Sequence, residues 1–250
     1  MIKFFRHMRQ RLLAESKFSK YILYAIGEIV LVVIGILIAL QINNWNEGKK
    51  IAKQETVYLN RLLSENKQDL ATFSENIKII EHGKLTIENF SEALRNEAIP
   101  DSIVIQMAEE YFAYGSIYPI FTSSTSTFED LSSTGNLQVI SNTGLRDKIV
   151  KHYAKHKQIT ERFQIATNWA LPLDAPFTLE NDIMQFEPST KFLFPEKSNK
   201  IHARELRTNK MSYFSNVAAH YWIDNDAINE LRKLIKETSN LILSLEHELL

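Results

Sequence analysis

From Ile22 to Leu40 the chain carries one ionisable residue, Glu28, within the run YILYAIGEIVLVVIGILIALQI at residues 21–42. About 20 apolar residues rising 1.5 Å each span the roughly 30 Å hydrocarbon core of a bilayer. The run therefore predicts a transmembrane helix over 21–42. A cleaved signal peptide fits less well. Its apolar region is about 7–15 residues long and ends in small residues, whereas Gln41, Ile42, Asn43, Asn44 and Trp45 follow here. Beyond the span, Leu59, Leu63, Leu70, Phe73, Ile77, Ile80 and Ile87 recur on steps of three and four, with Asn66 and Lys84 filling the two gaps. That is the stripe of a bundle or coiled-coil helix. No proline occurs before Pro100, so this helix can continue out of the membrane, with Gly83 as the expected kink or stop.

Further helices follow. One includes Met107 to Tyr114, capped by Asp101 or Ser102, and Gly115 to Pro119 breaks it. Ser126-Thr-Phe-Glu129 fits a capping box, Gly135-Asn136 ends the short helix it opens, and Ser141 or Asn142 starts the next. The third main helix is expected from Thr143 to Ala170, ended by Pro172 and Pro176. Residues 185–208 read as an irregular loop, and the last helices as 212–222 and 226–250. No alternation of period two competes. The expectation is an all-α chain: an N-terminal transmembrane helix followed by an extracytoplasmic antiparallel helical bundle of about four main helices. Residues 1–20 form a basic cytoplasmic amphipathic segment, 21–42 the span, and 43–250 a periplasmic bundle domain.

Composition narrows function more by exclusion. The 29 Lys and Arg nearly balance 30 Asp and Glu, for a formal charge of -1. That balance speaks against nucleic acid as a partner. With no cysteine there is no disulfide, thiol nucleophile or Cys-based zinc site. The 7 glycines and 6 prolines leave no Gly-rich phosphate loop, and no cofactor is expected. Charge does set orientation. Lys3, Arg6, Arg9, Arg11, Lys17 and Lys20 precede the span, and Lys49, Lys50 and Lys53 follow it among Glu47 and Glu55. The N-terminus is then cytoplasmic, in the inner membrane, and the bulk of the chain periplasmic. About 20 residues on the cytoplasmic side hold no output domain, so a signal would need a partner.

Inside the span, Glu28 can be protonated, snorkel, or pair with a basic residue of another membrane helix. Gly35 and Ala39 form a small-xxx-small pair, and Gly27 lies on nearly the same face. These four residues are the expected intramembrane contact, to a protein partner or a second copy, in a chain whose other partner is the lipid bilayer. The run YAIGEIVLVVIGILIALQINNWNE, preceded by FRHMRQRLLAESKFSKY, resembles the signature of an uncharacterised family of single-span membrane proteins common in Bacteroidota, a domain of unknown function. STFEDLSSTGNLQVISNTGLRDKIVKHY, at 126–153, is also similar to that family's extracytoplasmic region. The resemblance implies an anchor with a periplasmic helical domain and brings no activity.

Candidate chemistry in the bundle is sparse. His152 and His156 stand at i and i+4, a spacing that can hold a metal, with His82 or Glu161 as conceivable third ligands. Tyr153 occupies the place of the general-base Glu in H-E-x-x-H, so a hydrolase reading is weak and no metal is expected. Neutral histidines hydrogen-bonded at a bundle boundary are the plainer reading. Asn66, Lys84 and Thr238 interrupt apolar stripes; partial exposure near an edge is the plainer reading, and as possible buried polar positions they would set register or line a ligand cavity. Glu109 and Glu110 point about 100° apart and read as a solvated face. Tyr111, Tyr114, Tyr118, Phe121 and Phe128 form either a binding surface or a plug for the bundle's end. The first expectation is a non-enzymatic interaction or accessory module of a membrane complex. The alternative is a small-ligand-sensing bundle that signals through a partner.

Overall fold

The computed structural model describes residues 18–250. The basic segment expected at 1–20 falls almost wholly outside them. Among the described residues there are six α-helices and no strand: α1 Phe18–Arg95, α2 Asp101–Glu110, α3 Ser126–Ser133, α4 Thr143–Glu180, α5 Asn199–Thr208 and α6 Lys210–Glu248. The chain divides into two compact units, residues 1–56 and 57–250.

In the first unit the described residues are helical throughout. Leu23, Ile29, Leu31, Ile36, Leu37 and Leu40 all present their side chains outward. This apolar stretch makes α1 the one described helix long and apolar enough to cross a membrane. It continues through Gly27, Gly35 and Gly48, where an added Cβ would meet nothing within 4 Å.

The second unit is built on three long helical segments. Lys67 pairs with Glu246 at 2.7 Å, Glu81 with Arg232 at 2.7 Å, and Tyr221 donates to Glu88 at 2.9 Å. Rising numbers on α1 meet falling numbers on α6, so these two run antiparallel. The α4–α6 pairs Asn142–Glu248 (2.7 Å), Lys155–Glu230 (3.3 Å) and Arg162–Asp226 (2.7 Å) show the same relation. Segments α1 and α4 therefore run in the same direction, joined by the crossover of residues 96–142. Both predicted interruptions are bridged, which lengthens one main helix and merges the last two into one. Helix α4 continues through Pro172 and Pro176 to Glu180. Each proline removes one backbone donor, but Ala170 is buried and Phe177 packs on the core beyond. The break expected at 223–225 is absent because Ile223 and Asp224 are both buried in one continuous α6.

Other local expectations resolve differently. Pro100, not Asp101 or Ser102, is the N-cap of α2, and Asp101 instead accepts from Arg207 Nη1 at 2.9 Å. The capping box at Ser126 does not form. Ser126 and Thr127 donate across to Glu65 on α1, at 2.6 and 2.7 Å. Asn142 does cap α4, accepting from the Leu145 N–H at 3.0 Å. The loop expected at 185–208 contains α5.

Gly83 is a contact, not a stop. After α2 the backbone widens into a π turn, Tyr111–Gly115. A Cβ at Gly115 would lie 2.5 Å from Thr86 Oγ1, and one at Gly83 would lie 2.9 Å from the Tyr114 carbonyl oxygen. Two glycines thus let the turn seat directly on α1.

The core falls into three apolar clusters. One gathers Leu62, Leu131, Ile149 and Leu245, the next Phe73, Ile159, Leu231 and Leu234, and the third Phe90, Val104, Tyr111 and Leu206. The first two are separated by a polar layer of Asn66, Asp69, His152, His156 and Thr238, all buried. The third is flanked by the cleft described next.

Candidate functional site

The stretch between Pro172 and Pro176 carries Asp174. Its carboxylate accepts from three side chains: the Tyr118 hydroxyl, Asn216 Nδ2 at 2.8 Å and His220 Nε2 at 2.9 Å. Asn216 Oδ1 in turn accepts from the Tyr111 hydroxyl at 2.6 Å. The π turn supplies Tyr111, the segment after it Tyr118, and adjacent turns of α6 supply Asn216 and His220. Widened turns of this kind often mark functional positions. Tyr118, Asp174, Asn216 and His220 line a cleft of about 420 Å³ that also touches Phe112, Ser116, Phe177, Thr178, Met184 and Glu187. That volume lies in the range of small-molecule sites.

The electrostatics follow from the geometry. Burial pushes Asp174 up, but the hydrogen bonds from His220, Tyr118 and Asn216 outweigh it and hold the carboxyl below its ordinary value. Tyr111 is raised well above its ordinary value, chiefly by burial, then by the negative charges of Asp174 and Asp224. Asp224, one turn beyond His220, is 3% exposed and is pushed up to about 7 by burial. It lines a smaller apolar cavity of about 180 Å³ on the other side of Tyr118. A carboxylate with three donors around it is a fixed anionic anchor, suited to binding. It is a poor nucleophile or base, because each donor stabilises its charged form.

Of the residues expected to matter, His152 and His156 are buried in the polar layer with ring centroids 4.3 Å apart. None of their four ring nitrogens has a hydrogen-bond partner among the described residues. Burial lowers His152 to about 4 and His156 to about 3, the latter also by its neighbour's charge. Phe73, Phe121 and Tyr153 surround His156. The suggested third ligands are elsewhere: His82 is exposed and edge-on to Tyr114, and Glu161 is exposed. Among the described residues no group of three or more His, Asp or Glu is placed to hold a metal ion.

Asn66 and Thr238 are buried, not partly exposed at an edge. Asn66 donates to the Leu62 carbonyl (2.8 Å) and the Tyr153 hydroxyl (3.3 Å), and Thr238 to the Leu234 carbonyl (2.8 Å). Lys84 is not a buried polar position. It is half-buried at the edge, its Nζ bonded to Asn225 (3.2 Å) and lying 4.3 Å from the Tyr221 ring centre, because its long stem carries the charge outward. The aromatic group splits. Tyr111, Phe121 and Phe128 stack on Phe90, Phe73 and Tyr153 inside the bundle, while Tyr118 turns to the cleft. Gly27, Glu28, Gly35 and Ala39 all lie on the apolar part of α1, where Gly27, Gly35 and Ala39 are exposed and Glu28 is half-buried.

A family model matches residues 28–162, just over half of the chain. The chain belongs to this family of unknown function, DUF6090. No curated protein and no solved structure matches it. The DUF6090 match spans most of the apolar helix, the π turn, Tyr118 and the His152–His156 layer, and ends before Asp174, Asn216 and His220. The cleft thus joins residues inside the family region to residues beyond it. Sequence reasoning missed its centre because Asp174 sits where two prolines signalled a helix end. A signal was present on α6, where Asn216, His220 and Asp224 recur at i, i+4 and i+8 and so share one face.

Proposed function

We propose that this protein is a non-enzymatic, membrane-anchored helical module whose bundle binds a small ligand and passes occupancy to a partner. The apolar part of α1 is the anchor. The basic N-terminal flank supports a cytoplasmic N-terminus and a periplasmic bundle, and the N-terminal signature supports a Bacteroidota-type inner-membrane protein. The observation that carries the ligand reading is the cleft around Asp174. Its anchoring carboxylate is held by residues from three separate segments, so anything seated there touches the crossover, α4 and α6 together. Glu28, Gly27, Gly35 and Ala39 would supply the partner contact within the membrane.

The test is gentle detergent extraction of the tagged full chain from native membranes, followed by mass spectrometry of small molecules and proteins. Thr178→Trp, which fills the cleft from its half-buried rim, is the matched control. A small molecule retained near stoichiometry by the wild type and lost in Thr178→Trp supports the reading. Stoichiometric protein partners with no cleft-dependent small molecule would sink it in favour of an accessory subunit. One observation favours that second reading. Trp169 and Trp222 pack edge to face at 5.9 Å yet remain 52% and 60% exposed, with Ile165 and Leu173 beside Trp169 at i-4 and i+4, also exposed. A large apolar patch of that kind often marks a protein contact.

A further inference from the structure

Building on the cleft as a ligand site, we propose that its ligand is a small organic cation, an amine or quaternary ammonium carried on an apolar body. The lining contains two carboxylates, Asp174 and Glu187, and no lysine or arginine. Lys191, the nearest lysine in sequence to Glu187, is committed to Glu109. His220 balances Asp174 only when protonated, and Asp174 is already fixed by its three donors. Glu187 is half-buried in the same lining, its Oε1 held by Ser189. The lining also holds Phe112, Tyr118 and Phe177, with Met184. Aromatic faces attract ammonium groups through their quadrupoles, and the attraction grows as water is excluded. An anionic ligand would meet two like charges in a lining without lysine or arginine, and a neutral polar one would draw nothing from their charge. The chemistry of the walls and the sign of the charge agree on one class.

The probe is benzyltrimethylammonium, with phenylacetate and benzyl alcohol as anionic and neutral counterparts of similar shape. Each is titrated against the full chain in nonionic detergent by calorimetry at constant ionic strength. The expected result is saturable binding of the cation at millimolar affinity or tighter, as befits so small a ligand. The two counterparts bind at least about 10-fold more weakly. Glu187→Gln, at the half-buried edge, lowers cation affinity about 3- to 10-fold while the fold is checked by circular dichroism. If phenylacetate or benzyl alcohol binds best, and Thr178→Trp abolishes that binding, the cation class is overturned while the cleft stands as a ligand site. If the cation binds equally well to wild type, Glu187→Gln and Thr178→Trp, it is held elsewhere and the proposal fails. If none of the three probes binds, the cation proposal fails, and cleft-dependent retention of a native molecule then decides the broader reading on its own.

Discussion

The bundle buries histidine in two ways. His220 is 1% exposed and meets a carboxylate at 2.9 Å, beside a cleft. His152 and His156 are as deeply placed, but lie among Phe73, Phe121 and Tyr153 with no hydrogen-bond partner among the described residues. Burial alone disfavours the charged imidazole, and it dominates at His152 and His156. At His220 the acid partner, Asp174, is in turn held by Tyr118 and Asn216. The same residue type is thus a bulky neutral filler in one region and part of a fixed polar anchor in the other. Sequence spacing had singled out the filler, and the anchor went unnoticed.

The sharpest way to break this comparison is one substitution made at both places. His220→Leu leaves Asp174 short of a donor in a buried setting and is expected to destabilise by about 3 kcal/mol. His156→Leu replaces an unpartnered imidazole with an apolar group of similar bulk. It is expected to be neutral or stabilising by about 1 kcal/mol, since an unpaired buried polar group carries its own desolvation penalty. Thermal midpoints of the full chain in nonionic detergent decide it. Equal losses at both positions would mean that His156 has a partner as good as Asp174, and the contrast would collapse.

Acid sharpens the contrast next. His152 and His156 have folded values of about 4 and about 3 against an ordinary 6.5. A depressed histidine value means that the unfolded chain binds protons that the folded one refuses. Stability therefore falls as pH drops from about 6.5 toward about 4, by about 2 kcal/mol per histidine at pH 5. Asp224, raised to about 7 from 3.8, works the other way, because the folded state holds its proton and gains as pH drops toward 4. Asp69, raised by burial, acts in the same sense as Asp224. The wild-type profile sums these opposing terms with the acid losses of His202, Asp174 and Glu230, all held below their ordinary values. The informative quantity is its difference from His152→Leu/His156→Leu, which should lose far less stability between pH 7 and pH 5. Parallel profiles for the two proteins would show that the histidines titrate normally.

Much of this architecture was legible before the structure. The apolar run, the α1 stripe through Leu59 and Phe73 and the Asn142 cap all follow from periodicity and local chemistry. What was not legible depends on contacts between distant segments. Pro172 and Pro176 read as terminators because a proline removes a donor, yet Phe177 and Ala170 keep α4 packed through them. Ser126 and Thr127 read as caps, but Glu65, on another helix, takes their hydroxyls. Asp174 had no partner within its own helix, so its role existed only once the crossover brought Tyr118 beside α6. Gly83 and Gly115 read as breaks for the same reason: a close approach to a remote segment leaves no local trace.

That last point gives the smallest and most localised prediction. A methyl added at Gly115 would meet Thr86 Oγ1 at 2.5 Å and Tyr111 Cδ2 at 2.6 Å, both in the packed interior. Gly115→Ala should cost about 1–2 kcal/mol through overpacking, and because the π turn positions Tyr111 it should also weaken binding at the cleft. Gly48→Ala is the counterpart in the other unit, within the same α1, where nothing lies within 4 Å. There the usual helical preference for alanine applies, with a gain of at most about 1 kcal/mol and no effect at the cleft. Thermal midpoints and probe titrations of the two variants separate the cases. A Gly115→Ala protein as stable as wild type, with unaltered cleft binding, would show that the turn does not need its seat on α1. The cleft would then owe its shape to the Asp174 hydrogen bonds alone.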